Sequence, residues 1–142
     1  MNDQALATHS AFDDYYGLRV DRCDQDGIAG TLEVRPHHLQ PTRVVHGGVY
    51  ASIAEALASF GTNFHVLRHG NVALGMHNAT SFLRPCGGGT LHGRAEPLHR
   101  GRTTWVWDIR IADDDGRLCA SGRVTLAVRP IPTEAPPGPP LP

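Results

Sequence analysis

Apolar and polar residues alternate with a period of two across residues 18–35, where Leu18, Val20, Ile28, Leu32 and Val34 surround an Asp26-Gly27 pair. Such alternation sends successive side chains to opposite faces of a strand, and Asp-Gly is a turn dipeptide, so this stretch predicts a β-hairpin. A proline-punctuated segment from Pro36 to Arg43 leads to His46-Gly47-Gly48, and from Val49 the period changes. Val49, Ile53, Leu57, Phe60, Phe64 and Leu67 are spaced by four, four, three, four and three residues. That spacing belongs to one face of an α-helix. The helix is predicted from about Gly48 to about Leu67, roughly 30 Å long at its standard rise.

After His69-Gly70 the period returns to two. Val72, Leu74 and Met76 open a strand toward Phe82, and Pro85-Cys86-Gly87-Gly88-Gly89 marks a turn before a second strand near Leu91 to Leu98. Trp105, Trp107, Ile109 and Ile111 share one face of a third. Past an Asp115-Gly116 turn, Leu118, Ala120, Gly122, Val124, Leu126 and Val128 form the cleanest alternation in the chain. Hairpin, long helix and four consecutive strands make an α+β plan, an antiparallel sheet with one main helix against it. One helix cannot cover both faces of a six-stranded sheet, so association between copies is expected.

The predicted helix is unusual in charge. The twenty-four residues between Arg43 and Arg68 carry one formal charge, Glu55. Surface helices usually carry several, which predicts burial nearly all round. Ser52, Glu55, Ser59 and Asn63, three and four apart, form its polar stripe. Glu55 is therefore either a rim residue in water or a carboxylate retained for chemistry. The Gly47-Gly48 start carries no strong capping side chain, which leaves free N–H groups suited to a carbonyl oxygen that gains negative charge. Two helical turns separate those donors from Glu55, a span read as short enough for joint action on one substrate.

A net charge of -1 excludes an electrostatic case for nucleic-acid or membrane binding as a main activity. No basic-then-apolar leader opens the chain, and no apolar run is long enough to span a bilayer. Cys23, Cys86 and Cys119 are odd in number and lack CxxC spacing, which suits core thiols in a reducing, cytoplasmic setting. Pro130 to Pro142 holds seven of the eleven prolines and reads as a disordered tail. The division expected is a lead-in over residues 1–16, one domain over 17–129 and the tail over 130–142.

Four motifs occur in order: His46-Gly47-Gly48 with Glu55 behind it, Ser81-Phe82-Leu83-Arg84-Pro85, His99-Arg100-Gly101-Arg102-Thr103-Thr104, and Asp115-Gly116-Arg117-Leu118-Cys119-Ala120. On these residues the chain resembles the hot-dog-fold acyl-CoA thioesterases, and most nearly the 4-hydroxybenzoyl-CoA and 1,4-dihydroxy-2-naphthoyl-CoA group within the phenylacetate-degradation-type set. The resemblance spans about Tyr16 to Pro130 and implies a curved antiparallel sheet wrapped around a central helix. It also implies roles for single residues. Glu55 stands at the nucleophile or general base. Gly47 stands where a backbone N–H polarises the thioester carbonyl, with His46 shaping that turn. Gln40 stands at a side-chain amide position near the thioester, and Ser59 at a hydroxyl position that helps bind the hydrolytic water, with serine in place of the threonine of some members. Arg84, Arg102 and Thr103, and more weakly Arg100 and Arg129, stand at contacts to coenzyme A. The implied reaction hydrolyses an acyl-CoA, with an aromatic acyl group favoured, and coenzyme A enters only as part of substrate and product. Homodimers assembling into homotetramers, with sites at subunit interfaces, are the implied assembly.

Other signals carry less. His65 and His69 are four apart but lack HExxH or a third ligand, so no metal site is read from them. Gly87-Gly88-Gly89 has no following Lys-Ser/Thr, and no GxSxG elbow is present. Hot-dog dehydratases or hydratases and a non-enzymatic acyl-CoA-binding protein are the alternatives, because a fold alone does not settle function.

Overall fold

The computed structural model describes residues 10–134. In chain order it contains a short helix α1 (Ala11–Tyr16), strands β1 (Arg19–Cys23) and β2 (Ile28–Glu33), a 3-10 turn (Pro36–His38), and the long helix α2 (Gly47–Val66). A second 3-10 turn (Leu67–His69) follows, then β3 (Asn71–Phe82), β4 (Thr90–Arg100), β5 (Thr104–Ala112) and β6 (Leu118–Pro130). The strands form one sheet in the order β1-β2-β4-β5-β6-β3, antiparallel at every step. Wrapped around α2, this sheet is the hot-dog fold that the resemblance implies.

The hairpin closes where Asp26-Gly27 predicts it. Asp24 Oδ1 accepts hydrogen bonds from the backbone N–H of both residues, at 2.9 and 3.2 Å. Ile28, Leu32, Leu91, Trp107, Ile109, Ile111, Val124 and Leu126 fill the inner face of the sheet, and Ile53 and Leu57 of α2 pack against them. Cys86 and Cys119 are buried free thiols and Cys23 is partly buried.

The face that α2 turns inward is the one expected except at Phe64: Ile53, Leu57 and Leu67 are buried, and Val49 and Phe60 pack against the core. Tyr50, Ile53, Ala54, Leu57, Ala58, Gly61, Thr62 and His65 are buried, Val49 and Phe60 are half-buried, and Phe64 is 45% exposed. Trp107 accounts for the small residues at Gly61 and Thr62. A Cβ on Gly61 would lie 2.5 Å from its ring, and its Nε1–H donates to Thr62 Oγ1 at 2.8 Å. The indole fills the space beside these two positions, so only small residues fit there. The expected burial nearly all round is close to what is found: only Gly48 and Phe64 of the helix are exposed, and Ser52, Glu55 and Ser59 are half-buried.

Edge strand β3 bears on function. Leu74, Met76 and Phe82 are each more than half exposed along it, and a bulge at Met76 interrupts its pairing with β6. α1 falls in the expected lead-in, yet its Tyr16 belongs to the core. Residues 1–9 and 135–142, which include most of the proline-rich tail, lie outside the described residues. Among those described, no helix is long and apolar enough to cross a membrane.

Candidate active site

The start of α2 is capped, contrary to the sequence reading. His46 is its N-cap residue, and His46 Nδ1 accepts from the Gly48 N–H at 2.9 Å while His46 O accepts from the Val49 N–H at 2.9 Å. The Gly47 N–H has no partner among the described residues. A Cβ there would come within 2.6 Å of the Phe82 ring, which would have to shift. Gln40, Gly47, Tyr50, Phe82 and Arg84 border a hollow of about 170 Å³. Gln40 is set by a tight loop in which Arg43, at φ 63°, donates its N–H to Gln40 O at 2.8 Å, and the Gln40 N–H donates to Val44 O at 2.9 Å.

Glu55 lies elsewhere on the helix. With Ser52, Ser59, Phe60, Asn63 and Phe12 of α1 it borders a largely apolar cleft of about 460 Å³. Its carboxylate reaches toward β3. Asn78 Nδ2 donates to Glu55 Oε2 at 3.2 Å and also to Ala51 O at 2.9 Å, and Asn78 Oδ1 accepts from Thr80 Oγ1 at 2.6 Å. Gly75, beside the bulge, gives Glu55 Oε1 room, because a side chain there would strike the carboxylate. Asn63 is buried and accepts from the Ala73 N–H at 2.8 Å, tying the helix to β3 a second time.

Gly47 and Glu55 are eight residues apart on one helix, roughly 12 Å along its axis. They border different hollows, so one chain does not bring them together on a single carbonyl. Ser59 accompanies Glu55, whereas Gln40 and Arg84 accompany Gly47.

Arg100 and Arg102 are at the opposite end of α2 from Arg84. They border a hollow of about 500 Å³ with His65, Arg68 and His69, in which no carboxylate takes part. Arg100 is already engaged, donating to Gln25 O and lying over the Trp105 ring at 5.4 Å. Arg129 Nη1 donates to the backbone Thr103 O at 3.2 Å, which ties the end of β6 to the β5 entry. Burial and the nearby Arg100 and Arg68 guanidinium groups depress the His65 pKa. Among the described residues no group of three or more His, Cys, Asp or Glu could hold a metal ion.

Asn78 and Gly75 escaped the sequence reading, which followed only the apolar alternation of β3. An amide and a glycine inside an apolar edge strand were the available signal, since such breaks mark bulges and close approaches.

The sequence profile of the thioesterase superfamily matches residues 42–120, from the Gln40 loop through the Asp115-Gly116 motif. The chain belongs to the thioesterase superfamily. A Mycobacterium tuberculosis protein whose name assigns it provisionally to the esterases is 42% identical over 117 residues, 81% of this chain and 84% of its own. Its structure superposes with a TM-score of 0.83 at 39% identity, covering 87% of this chain and 99% of that one. The proofreading thioesterase EntH of Cronobacter turicensis is 32% identical over 115 residues, 81% of this chain and 83% of its own. A mutant thioesterase from Pseudomonas aeruginosa matches with a TM-score of 0.82 at 30% identity, covering 86% of this chain and 88% of that one. Thioesterase-type hydrolysis is thus the chemistry of the superfamily to which the site belongs.

Proposed function

We propose that this member hydrolyses acyl-CoA thioesters with an aromatic acyl group, and that Glu55 is the nucleophile or general base. The observation that carries the reading is the setting of Glu55. The one formal charge in twenty-four residues borders an apolar cleft, and the Asn78 amide holds its carboxylate. In the reaction the C–S bond breaks, water supplies the new C–O bond, and the departing thiolate takes a proton. Glu55 performs this by attacking the carbonyl carbon or by taking the proton of a water held near Ser59. The Gly47 N–H, with Gln40 beside it and His46 fixing the turn, stabilises the oxyanion. Arg84 from one copy and Arg102 and Thr103 from another meet the phosphates of coenzyme A, and Arg100 joins them by releasing Gln25 O. No resident cofactor is invoked.

A homodimer built by pairing β3 edges reconciles the divided site. A two-fold axis reverses the strand, so the Phe82 end of one copy lies beside the Asn71 end of the other. Gly47 packs on Phe82 and the Asn63 end of the Glu55 cleft packs on Ala73. Pairing therefore carries the Gly47 hollow of one copy toward the cleft of its partner, and the sheet faces remain for a tetramer.

Free-thiol release from a panel of aryl- and alkyl-CoA esters tests the reading. Aryl esters turn over fastest, and Glu55→Ala loses at least ~100-fold, the scale of removing a positioned acid–base group. Undiminished turnover by the variant would exclude Glu55.

A further inference from the structure

Phe12 of α1 borders the cleft of Glu55. Its ring lies against that of the buried Tyr16, centroids 5.1 Å apart, but it stays 63% exposed on a helix only six residues long. Yet α1 is held firmly. Ser10 caps it by accepting from the Asp13 N–H at 3.4 Å, and Tyr16, buried, donates its hydroxyl to Asp13 Oδ1 at 2.6 Å. His38 ties the end of α1 to the body of the domain. Its Nδ1 accepts from the Arg35 N–H at 2.9 Å, so the ring proton is on Nε2, which donates to Tyr16 O at 2.8 Å. His38 O in turn accepts from the His46 N–H at 2.8 Å. A rigid strut thus runs from α1 to the turn at the head of α2.

Phe12 and Ser52 also border a second hollow of about 380 Å³, whose other walls include His46, Gly48 and Val49. Phe12 therefore stands between the cleft of Glu55 and the turn of His46. Phe60, half-buried against the core, borders the same cleft. The two acids at the cleft, Asp13 and Glu55, repel an acyl group that is itself anionic. A planar uncharged group gains the ring faces without that repulsion.

We infer that α1 is the specificity element of the acyl site, with Phe12 as the wall that selects uncharged aryl over alkyl and carboxylated acyl groups. The inference rests on the thioesterase reading above.

The test compares kcat/KM for benzoyl-, butanoyl- and succinyl-CoA in wild type, Phe12→Ala and Phe12→Leu, with thermal midpoints and oligomeric state measured alongside. Phe12→Ala is expected to lower the benzoyl-to-butanoyl ratio by about tenfold, and Phe12→Leu, which keeps bulk without a ring face, by a smaller factor. Wild type is expected to act on succinyl-CoA least of the three. A ratio unchanged within twofold in folded Phe12→Ala overturns the inference, as does a variant that loses only its assembly, since Phe12 would then be a contact between copies. If Phe12→Ala does not fold, an unchanged ratio in Phe12→Leu is decisive in the same way. Failure of wild type on every ester would instead sink the thioesterase reading, and the two failures are therefore distinguishable.

Discussion

Asn78 on β3 donates its side-chain amide to the Glu55 carboxylate of α2 at 3.2 Å, and the same nitrogen donates to Ala51 O one turn earlier. Thr80 completes the chain by donating to Asn78 Oδ1. With both amide ends occupied, Asn78 fixes the rotamer of Glu55. Asn78→Ala is expected to lower kcat by about 10- to 100-fold, the range for a misplaced reacting group, while KM changes little. Equal losses in kcat and stability, with KM rising, would make Asn78 merely structural.

Gly75 tests the same geometry from the other side. A methyl group there would displace Glu55 Oε1, the far end of a flexible side chain, while the backbone stays clear. Gly75→Ala is expected to keep its circular dichroism spectrum and lose thioester hydrolysis by on the order of 100-fold. A variant as active as wild type would show that Glu55 works from another position.

His38 predicts how stability responds to acid. Burial is the main cause that holds its pKa below the ordinary 6.5, helped by the nearby His37 and Arg35 charges. The unfolded chain binds the proton more readily, so the stabilisation is complete above about 6.5 and is lost as pH falls through the folded-state value. Protonating Nδ1 would also break the bond from the Arg35 N–H. The thermal midpoint is expected to fall as pH drops from 7 to 5, and less steeply in His38→Gln. His65, also depressed by burial, adds to the slope in the same direction. Parallel profiles for the two proteins would rule out His38 as a contributor.

The edge strand predicts assembly. Long exposed apolar edges are paired or covered in native proteins. Leu74→Lys places a charge on that edge, and light scattering is expected to report monomers where wild type gives dimers or larger. Hydrolysis falls with it, because the Gly47 and Glu55 hollows separate. A monomeric wild type with full activity would refute the composite site.

Much of this architecture is legible from periodicity. The hairpin around Asp26-Gly27, the helix of twenty residues and the buried row Trp105, Trp107, Ile109 and Ile111 follow from local spacing, because strand and helix each repeat side-chain direction at a fixed interval. Glu55 stands out for the same reason, as a lone charge needs no neighbours to be noticed. The need for small residues at Gly61 and Thr62 was set elsewhere, forty-six residues along the chain from Gly61, where Trp107 claimed the space. The holders of Glu55 were equally out of reach, since Asn78 and Gly75 acquire meaning only when β3 is laid along α2 at the edge of the sheet. Periodicity is a property of neighbouring residues, whereas a site is made of contacts between residues distant in the chain, and packing alone brings those together.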